Sequence, residues 1–261
     1  SPRSKKRSDQ EIFNIVKKNA TDLGISHLLD RNPSQLSGGQ KQRVSLARAL
    51  VREPEAFLLD EPIAHLDAKL RTVARANLKE IAQRLGTTIL YVTHDYREAL
   101  ALSDKIMLLR EGKIEQIGSP KELWNNPTSD FVAHMIGDPV MNLIDGQIVE
   151  ESGKIFLVSK DLKLVLPNKF KNKKVINQEN LRLGIRPNDL IASTKSNSKS
   201  DLKGKVYGFE RKSNFFYTHL MLGDTFIVAR SLNDTPLSVG TEINLSFNYD
   251  KAFFFKKTFE L

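Results

Sequence analysis

The sequence predicts an α/β region followed by an all-β, OB-like barrel domain, and three observations support this prediction. Short apolar runs at residues 56–59 and 88–93 alternate with helix-like segments, as in a parallel α/β sheet. After residue 142, short strand-like segments recur without a long helical pattern between them. Composition also changes near residue 141, because 14 of the 20 aromatic residues follow it. We therefore predict a domain boundary there, with domains at residues 1–141 and 142–261.

Length and composition exclude several classes of protein. The 261 residues suffice for two domains, and the absence of cysteine excludes a disulfide framework and thiolate metal sites. No apolar run approaches the roughly 18–20 residues of a membrane-spanning helix, and no secretory signal opens the chain. The net charge of +9 comes from scattered basic residues, which favours a solvated surface over a polyanion-binding stripe.

Four segments of the first region have the apolar spacing of helices. Ser8 or Asp9 caps the first of them, Gly24 is its stop signal, and Gly86 closes the third. The predicted helices occupy residues 8–30, 38–52, 68–85 and 96–102.

The predicted strands of the first region, at residues 56–59, 88–93 and 105–109, alternate with these helices, which implies a parallel sheet. The first two are continuous apolar runs, as in strands that are buried on both faces. In the second region, Gly223-Asp224 suits a two-residue hairpin. We predict a long loop over residues 188–203 and strands over residues 155–158, 162–166, 226–229 and 242–247.

The segment Leu36-Ser37-Gly38-Gly39-Gln40 lies where a loop enters the second helix. The glycines let the backbone approach a ligand, the first N–H groups of the helix are free, and Ser37 adds a hydroxyl donor. Together these features predict a phosphate-binding site. The alternative is a plain loop with a capping serine.

Carboxylates and a histidine come directly after the first two predicted strands. Asp60 and Glu61 end the first strand, at the edge where open α/β sheets bind ligands. Asp60 would hold Mg²⁺ and Glu61 would be a general base for water, or else they are a helix cap and a surface charge. His94 follows the second strand and could reach a terminal phosphate, the alternative being a structural role. Asp67 precedes the third helix, where its alternative role is an N-cap.

The order of these motifs resembles the ATP-binding subunits of ABC transporters. Leu-Ser-Gly-Gly-Gln is followed by Leu-Leu-Asp-Glu-Pro, then Leu-Asp, then Val-Thr-His-Asp, and the resemblance spans almost all of residues 8–141. It implies part of a P-loop NTPase domain, with a RecA-like parallel sheet and part of the helical subdomain. It also implies that the cofactors are ATP and Mg²⁺.

The resemblance implies a role for each candidate residue. Asp60 corresponds to the Walker B aspartate and Glu61 to the catalytic glutamate. Asp67 corresponds to the D-loop aspartate and His94 to the switch histidine. The signature segment would contact, in trans, the ATP that a partner subunit holds, through Ser37, Gly38, Gly39 and Gln40.

The implied partners are a second ATPase subunit, with a homodimer expected, and membrane-spanning permease subunits. An extracytoplasmic solute-binding protein is an indirect partner, and no nucleic acid is expected. The implied location is peripheral, on the cytoplasmic face of the cell membrane. Further segments, such as residues 93–100 and 131–137, resemble the maltose-type sugar importers. Gly184-Ile185-Arg186-Pro187 resembles their regulatory (TOBE) domain, although polyamine, iron and sulfate importers are built similarly.

The family's phosphate-binding loop, Gly-x-x-x-x-Gly-Lys-Ser/Thr, is absent, because none of the three Gly-Lys pairs is followed by Ser or Thr. The adenine-stacking aromatic and the Q-loop glutamine are missing too. In the family all three precede the helical subdomain, so we expect an N-terminal truncation and no activity from this chain alone.

Two other functions compete with this interpretation. One is a non-catalytic regulatory module of such a transporter, which ATP turnover with a complete N-terminus would exclude. The other is nucleic-acid binding by the barrel, with bases stacked on Phe215-Phe216-Tyr217 or Phe253-Phe254-Phe255. Strand alternation places about half of each run inside the barrel, which favours a core role.

Overall fold

The computed structural model describes residues 8–52, 55–64, 66–160, 162–170, 180–194, 201–232 and 237–260. The chain divides into two compact units, with the boundary between Asp104 and Lys105. Residues 105–141 therefore share a unit with the β-rich residues, and the domain boundary at residue 141 stays a prediction. No helix in the described ranges combines the length and apolar character that crossing a membrane requires.

In its described residues, the first unit has four α-helices. Helix α1 (Asp9–Asp22) begins with a capping box, in which the Ser8 hydroxyl accepts from the N–H of Glu11. The prediction that this helix continues to residue 30 is wrong, because Gly24 adopts a left-handed φ of +63° that turns the chain. The other helices have bounds close to those predicted: α2 (Gly38–Leu50), α3 (Ala68–Leu85) and α4 (Tyr96–Leu102).

Two strands of the first unit, β1 (Ala56–Asp60) and β2 (Thr88–Val92), form the predicted parallel pair. The expectation that both strands are buried on both faces is wrong, since Phe57 and Leu59 are buried whereas Leu58 is 79% exposed. The apolar residues of helices α1 to α3 pack with Phe57 and Leu59, so they cover the face that these two side chains share. The strand therefore alternates between a covered and an open face.

The second unit opens with an antiparallel hairpin. Strand β3 (Ile106–Arg110) pairs with β4 (Lys113–Gly118). That residues 105–109 also continue the parallel sheet of the first unit stays a prediction. The two residues between these strands, Glu111 and Gly112, have φ values of +50° and +75°. Positive φ at both positions gives the turn whose twist matches that of paired antiparallel strands. Two short helices follow: α5 (Pro120–Asn125) and α6 (Asp130–Met135).

The rest of the second unit is mostly β-structure, which confirms the predicted fold class. The strands are β5 (Asn142–Glu151), β6 (Lys154–Ser159), β7 (Leu162–Leu166), β8 (Leu181–Ile185), β9 (Leu190–Ser193), β10 (Leu202–Arg211), β11 (Phe216–Leu222), β12 (Thr225–Ser231), β13 (Glu242–Phe247) and β14 (Phe253–Lys256). One sheet has the order β14-β8-β5-β6-β7, and the closed barrel has the order β10-β11-β12-β9-β13.

One prediction about these sheets is confirmed, and another is wrong. Gly223 has a φ of +58°, and the hairpin predicted at Gly223-Asp224 joins β11 to β12. The long loop predicted over residues 188–203 is wrong where β9 forms, because Leu190 and Ala192 alternate into the core. Residues 195–200 of that segment lie outside the described residues.

A buried ion cluster joins several elements of the second unit. Arg182 on β8 is fully buried, donates to Asp130 on α6 at 2.8 Å, and also donates to Asp145 on β5. Lys257 lies 3.0 Å from Asp145, and the N–H of Thr258 donates to Asp130 at 3.0 Å. The cluster therefore connects α6, β5, β8 and the segment that follows β14.

We expect acid pH to destabilise the second unit through Asp145. Burial raises the pKa of Asp145, but hydrogen bonds from Arg182 and Lys257 outweigh burial and lower it below its ordinary value. Such a carboxylate stabilises the fold above its unfolded pKa of about 3.9, and this contribution is lost as pH falls through the folded pKa. Urea unfolding at a series of pH values between about 7 and about 3 measures the decline in the free energy of unfolding. Asp145→Asn should make this decline smaller. If the free energy of unfolding depended on pH in the same way in the wild type and in Asp145→Asn, this assignment would be contradicted.

Candidate functional site

The signature segment, residues 36–40, forms the start of helix α2. Ser37 is the N-cap: its hydroxyl oxygen accepts from the N–H of Gln40 at 3.3 Å, and the side-chain oxygen of Gln40 accepts from the N–H of Ser37 at 2.9 Å. The capping interpretation of Ser37 is therefore the arrangement observed. It is compatible with a phosphate site, because the hydroxyl hydrogen of Ser37 and the NH2 group of Gln40 take no part in the capping box.

Gly38 and Gly39 keep the backbone of this turn accessible. Their N–H groups lie in the first turn of the helix, where no intrahelical acceptor exists. A side-chain carbon placed on Gly38 would meet no atom within 4 Å, so the space beside that residue is open. The free N–H groups, the positive end of the helix dipole and the Ser37 hydroxyl can together bind an anion.

The carboxyl end of β1 holds Asp60 and Glu61. Asp60 is exposed, and Glu61 has a left-handed φ of +43°, which is uncommon for a residue with a side chain. The N–H of Glu61 donates to the carbonyl of Val92 at 2.9 Å, and its carbonyl accepts from the side chain of Gln42, on α2, at 2.8 Å. These two bonds hold the backbone in this conformation and so set the direction of the Glu61 side chain.

The Glu61 carboxylate contacts His94, which brings two predicted site residues together. Nδ1 of His94 lies 2.8 Å from a carboxylate oxygen of Glu61, and the two side chains are 74% and 45% exposed, respectively. The hydrogen bond and charge of Glu61 raise the pKa of His94. Asp60 is paired opposite Val92 in the sheet, so it lies at the same edge as this contact.

Asp67 is the N-cap of α3, since its carboxylate accepts from the N–H of Leu70 at 3.0 Å. Within the described residues, no hydrogen bond joins the side chain of Ser37 or Gln40 to the Glu61–His94 pair; the link from α2 is Gln42. The roles of the signature segment, Asp60 and Asp67 toward nucleotide and metal stay predictions, because each concerns a molecule outside this chain.

The donor set at this edge fits Mg²⁺ when phosphate completes the coordination. In the described part of the chain, no group of three or more His, Asp or Glu side chains could hold a metal ion by itself. Phosphate-transfer sites bind Mg²⁺ through one or two carboxylates together with substrate phosphates. Asp60 would supply such a carboxylate, and the nucleotide would supply the phosphate oxygens.

Three residues that support the site were not predicted from the sequence. Gln42 donates to the carbonyl of Glu61, Arg71 donates to two backbone carbonyls in the loop after β1, and Glu98 accepts from two hydroxyl groups that precede His94 in the chain. Gln42 follows the signature segment closely, and this position could have indicated that it supports the site. Glu98 is the third residue of α4, where an acidic residue normally indicates a capping box.

Comparisons with known proteins agree with the motifs. A family model described as "ABC transporter" matches residues 2–64. The ABC transporter ATP-binding protein YurJ of Bacillus subtilis is 38% identical over 256 residues, which cover 96% of this chain and 70% of that protein. The trehalose/maltose import ATP-binding protein MalK of Thermococcus litoralis is 38% identical over 258 residues, 95% of this chain and 68% of that protein.

A third relative is the multiple sugar-binding transport ATP-binding protein MsmK of Streptococcus mutans. It is 38% identical over 267 aligned residues, which cover 95% of this chain and 69% of that protein. These matches extend over both units, so they include the β-barrel as well as the predicted site. The chain therefore belongs to the family of ABC transporter ATP-binding proteins.

Proposed function

We propose that the full-length protein is the ATPase subunit of an importer and couples ATP hydrolysis to the uptake of a sugar. The Glu61–His94 contact beside Asp60 carries this proposal, because a carboxylate held by a histidine at the carboxyl end of a parallel strand suits a general base for water. The names of the MalK and MsmK relatives support a sugar as the solute. The relative UgpC of Psychromonas ingrahamii, an sn-glycerol-3-phosphate import protein, is 48% identical over 149 residues, 57% of this chain and 40% of that protein. A phosphorylated polyol is therefore the competing solute.

In this proposal the site residues divide the chemistry between them. Glu61 accepts a proton from the attacking water, and His94 holds the carboxylate in place through their 2.8 Å contact. The first N–H groups of α2 and the Ser37 hydroxyl donate to terminal phosphate oxygens of nucleotide held by a second subunit. Asp60 would hold Mg²⁺, which supplies positive charge against the phosphates.

The proposed assembly contains a second copy of the protein and membrane-spanning permease subunits. Gln40 and Asp67 contact nucleotide at the interface between the two copies. A solute-binding protein delivers the sugar to the permease from the opposite side, and the ATPase lies peripherally on the cytoplasmic face of the membrane.

Uptake by the reconstituted transporter tests this function. The full-length gene product and its permease partners are placed in vesicles that contain ATP, and labelled maltose or glycerol-3-phosphate is added with the solute-binding protein. ATP-dependent accumulation of maltose supports the proposal. Accumulation of glycerol-3-phosphate alone would mean that the solute is a phosphorylated polyol and not a sugar. Absence of ATP hydrolysis from an assembled transporter would contradict the function.

The 261-residue chain by itself is expected neither to hydrolyse ATP nor to bind it with ordinary affinity. Most of the nucleotide's charge is on its phosphates, and the sequence has no Gly-x-x-x-x-Gly-Lys-Ser/Thr loop to neutralise it. Carboxylates alone also hold Mg²⁺ weakly without substrate phosphates. Calorimetric titration with Mg-ATP tests this expectation, with Mg²⁺ alone as the control. A one-to-one isotherm with a low-micromolar Kd would contradict it.

Replacing His94 with Ala is expected to reduce kcat for ATP in the transporter roughly 10²-fold, within the range of acid–base contributions. The substitution removes the partner that holds the Glu61 carboxylate, while the predicted nucleotide contacts on α2 are unaltered. Steady-state ATP hydrolysis measures the effect, and His27→Ala, an exposed histidine of the same unit, is the matched control. Equal kcat in the two variants would return His94 to a structural role.

A further inference from the structure

Glu98 is a buried carboxylate beside the site, in the first turn of α4. The residue is 3% exposed. Asp95 caps this helix by accepting from the N–H of Arg97. Glu98 instead points its carboxylate toward β2. A buried carboxylate is costly unless hydrogen bonds and an opposite charge compensate it, so its partners indicate why it is there.

Two hydroxyl groups that precede the predicted switch histidine in the chain donate to Glu98. The Tyr91 hydroxyl lies 2.9 Å, and the Thr93 hydroxyl 3.1 Å, from the same carboxylate oxygen. The Thr93 oxygen in turn accepts from the N–H of Asp95 at 3.0 Å. These bonds fix the backbone immediately before and after His94, whose own side chain faces solvent and Glu61.

Arg71 on α3 connects Glu98 to the loop after β1. Its Nε lies 3.9 Å from the other carboxylate oxygen of Glu98, close enough for an ion pair. One terminal nitrogen of the same guanidinium donates to the carbonyls of Ala64, at 3.3 Å, and Leu66, at 3.1 Å. This loop begins at Glu61 and ends at Asp67. The Glu98–Arg71 pair therefore touches both loops that carry the predicted chemistry.

We propose that Glu98 is a positioning residue that aligns His94 with Glu61 by joining the loop after β2 to the loop after β1. The inference rests on the proposed ATPase function, and it adds a residue that acts on the reaction through two others. An apolar side chain could fill the same volume, but it could not accept from Tyr91 and Thr93 or pair with Arg71. The contacts thus give a reason for a buried carboxylate at this position, which is that it connects the two loops.

Variants in the full-length transporter measure the effect on catalysis. Glu98→Ala should lower kcat for ATP roughly 10²-fold and leave KM within about twofold, because a small displacement of a catalytic pair has effects of this order. Glu98→Gln should recover part of kcat, since its oxygen still accepts from both hydroxyl groups. Thr93→Val removes one hydroxyl with little change of shape. Glu80→Gln is the matched control, because Glu80 forms an exposed pair with Lys18 on the same unit.

A spectroscopic measurement on the 261-residue chain tests the alignment without any turnover. The ¹⁵N shifts of the His94 ring report its hydrogen bond to Glu61, with Glu61→Ala as the reference for a lost bond. Thr93→Val and Glu98→Ala should move these shifts toward the reference, whereas Glu80→Gln should not.

The two measurements separate the possible outcomes. Wild-type ring shifts and wild-type kcat in Thr93→Val and Glu98→Ala would overturn the positioning role. If Glu98→Ala does not fold, Thr93→Val decides the question alone. If the wild-type transporter hydrolyses no ATP, the proposed function fails, and the ring shifts still decide whether Glu98 aligns His94.

Discussion

Replacing Glu61 with Gln is expected to leave ATP binding by the full-length transporter unchanged and to reduce kcat by roughly 10²- to 10⁴-fold, the usual contribution of a general base. The amide keeps the shape of the side chain but cannot take a proton from water. The Glu61 backbone is held by Val92 and Gln42 through main-chain atoms, so the substitution leaves those two bonds intact. Nucleotide affinity, measured by titration, separates this result from a loss of binding.

The matched control is Glu55→Gln, which also removes a carboxylate near β1 but lies at the opposite end of that strand. We expect wild-type turnover from this variant. Steady-state turnover at the wild-type level in Glu61→Gln itself would remove the general-base assignment. His94 would then have lost the carboxylate that it is proposed to hold, and its role would need a different explanation.

Replacing Arg182 with Met should destabilise the second unit by about 3–5 kcal/mol, the usual cost of removing one partner from a buried ion pair. Met fills much of the volume, but Asp130 then keeps a fully buried carboxylate without its positive partner. Asp145 keeps Lys257, so the loss falls mainly on Asp130. Urea unfolding followed through Trp124, the single tryptophan of the chain, reports this unit.

The control for this prediction is Lys203→Met, which breaks an exposed pair with Glu242 in the same unit. Exposed pairs contribute about 0–1 kcal/mol, so this variant should unfold close to the wild type. Equal unfolding midpoints for the two variants would mean that the buried cluster contributes no more than a surface pair. Asp130 would then have to find compensation elsewhere when Arg182 is removed.

Local patterns in the sequence predicted much of the fold. Helix α4 and the hairpin at Gly223-Asp224 follow from caps and turn residues, which act over a few positions. Pairing depends on distant residues and was less predictable: β3 has an apolar run that suits a parallel strand, but the turn at Glu111-Gly112 pairs it with its neighbour. Strand β9 was not predicted, because it has four residues and only two of them, Leu190 and Ala192, are buried.

The site shows the same division between local and long-range information. The contact between Glu61 and His94 could be anticipated, because both follow strands that were expected to be parallel neighbours. The support from Gln42 and Glu98 could not, since it depends on how α2 and α4 pack beside the sheet. Glu98 in particular has the sequence position of a capping-box residue, and only its partners in the structure distinguish this use from the one observed.

The capping box at Ser37 has a consequence for how substitutions there would be tolerated. For folding alone, Asn, Asp or Thr would serve in its place, because each can cap a helix, while Ala would cost about 1 kcal/mol. Helix formation alone thus allows several side chains at this position. If only a small side chain with a hydroxyl group were tolerated there, this stricter requirement would have to come from ligand binding. The residues accepted at Ser37 therefore separate selection for the helix from selection for the anion in front of it.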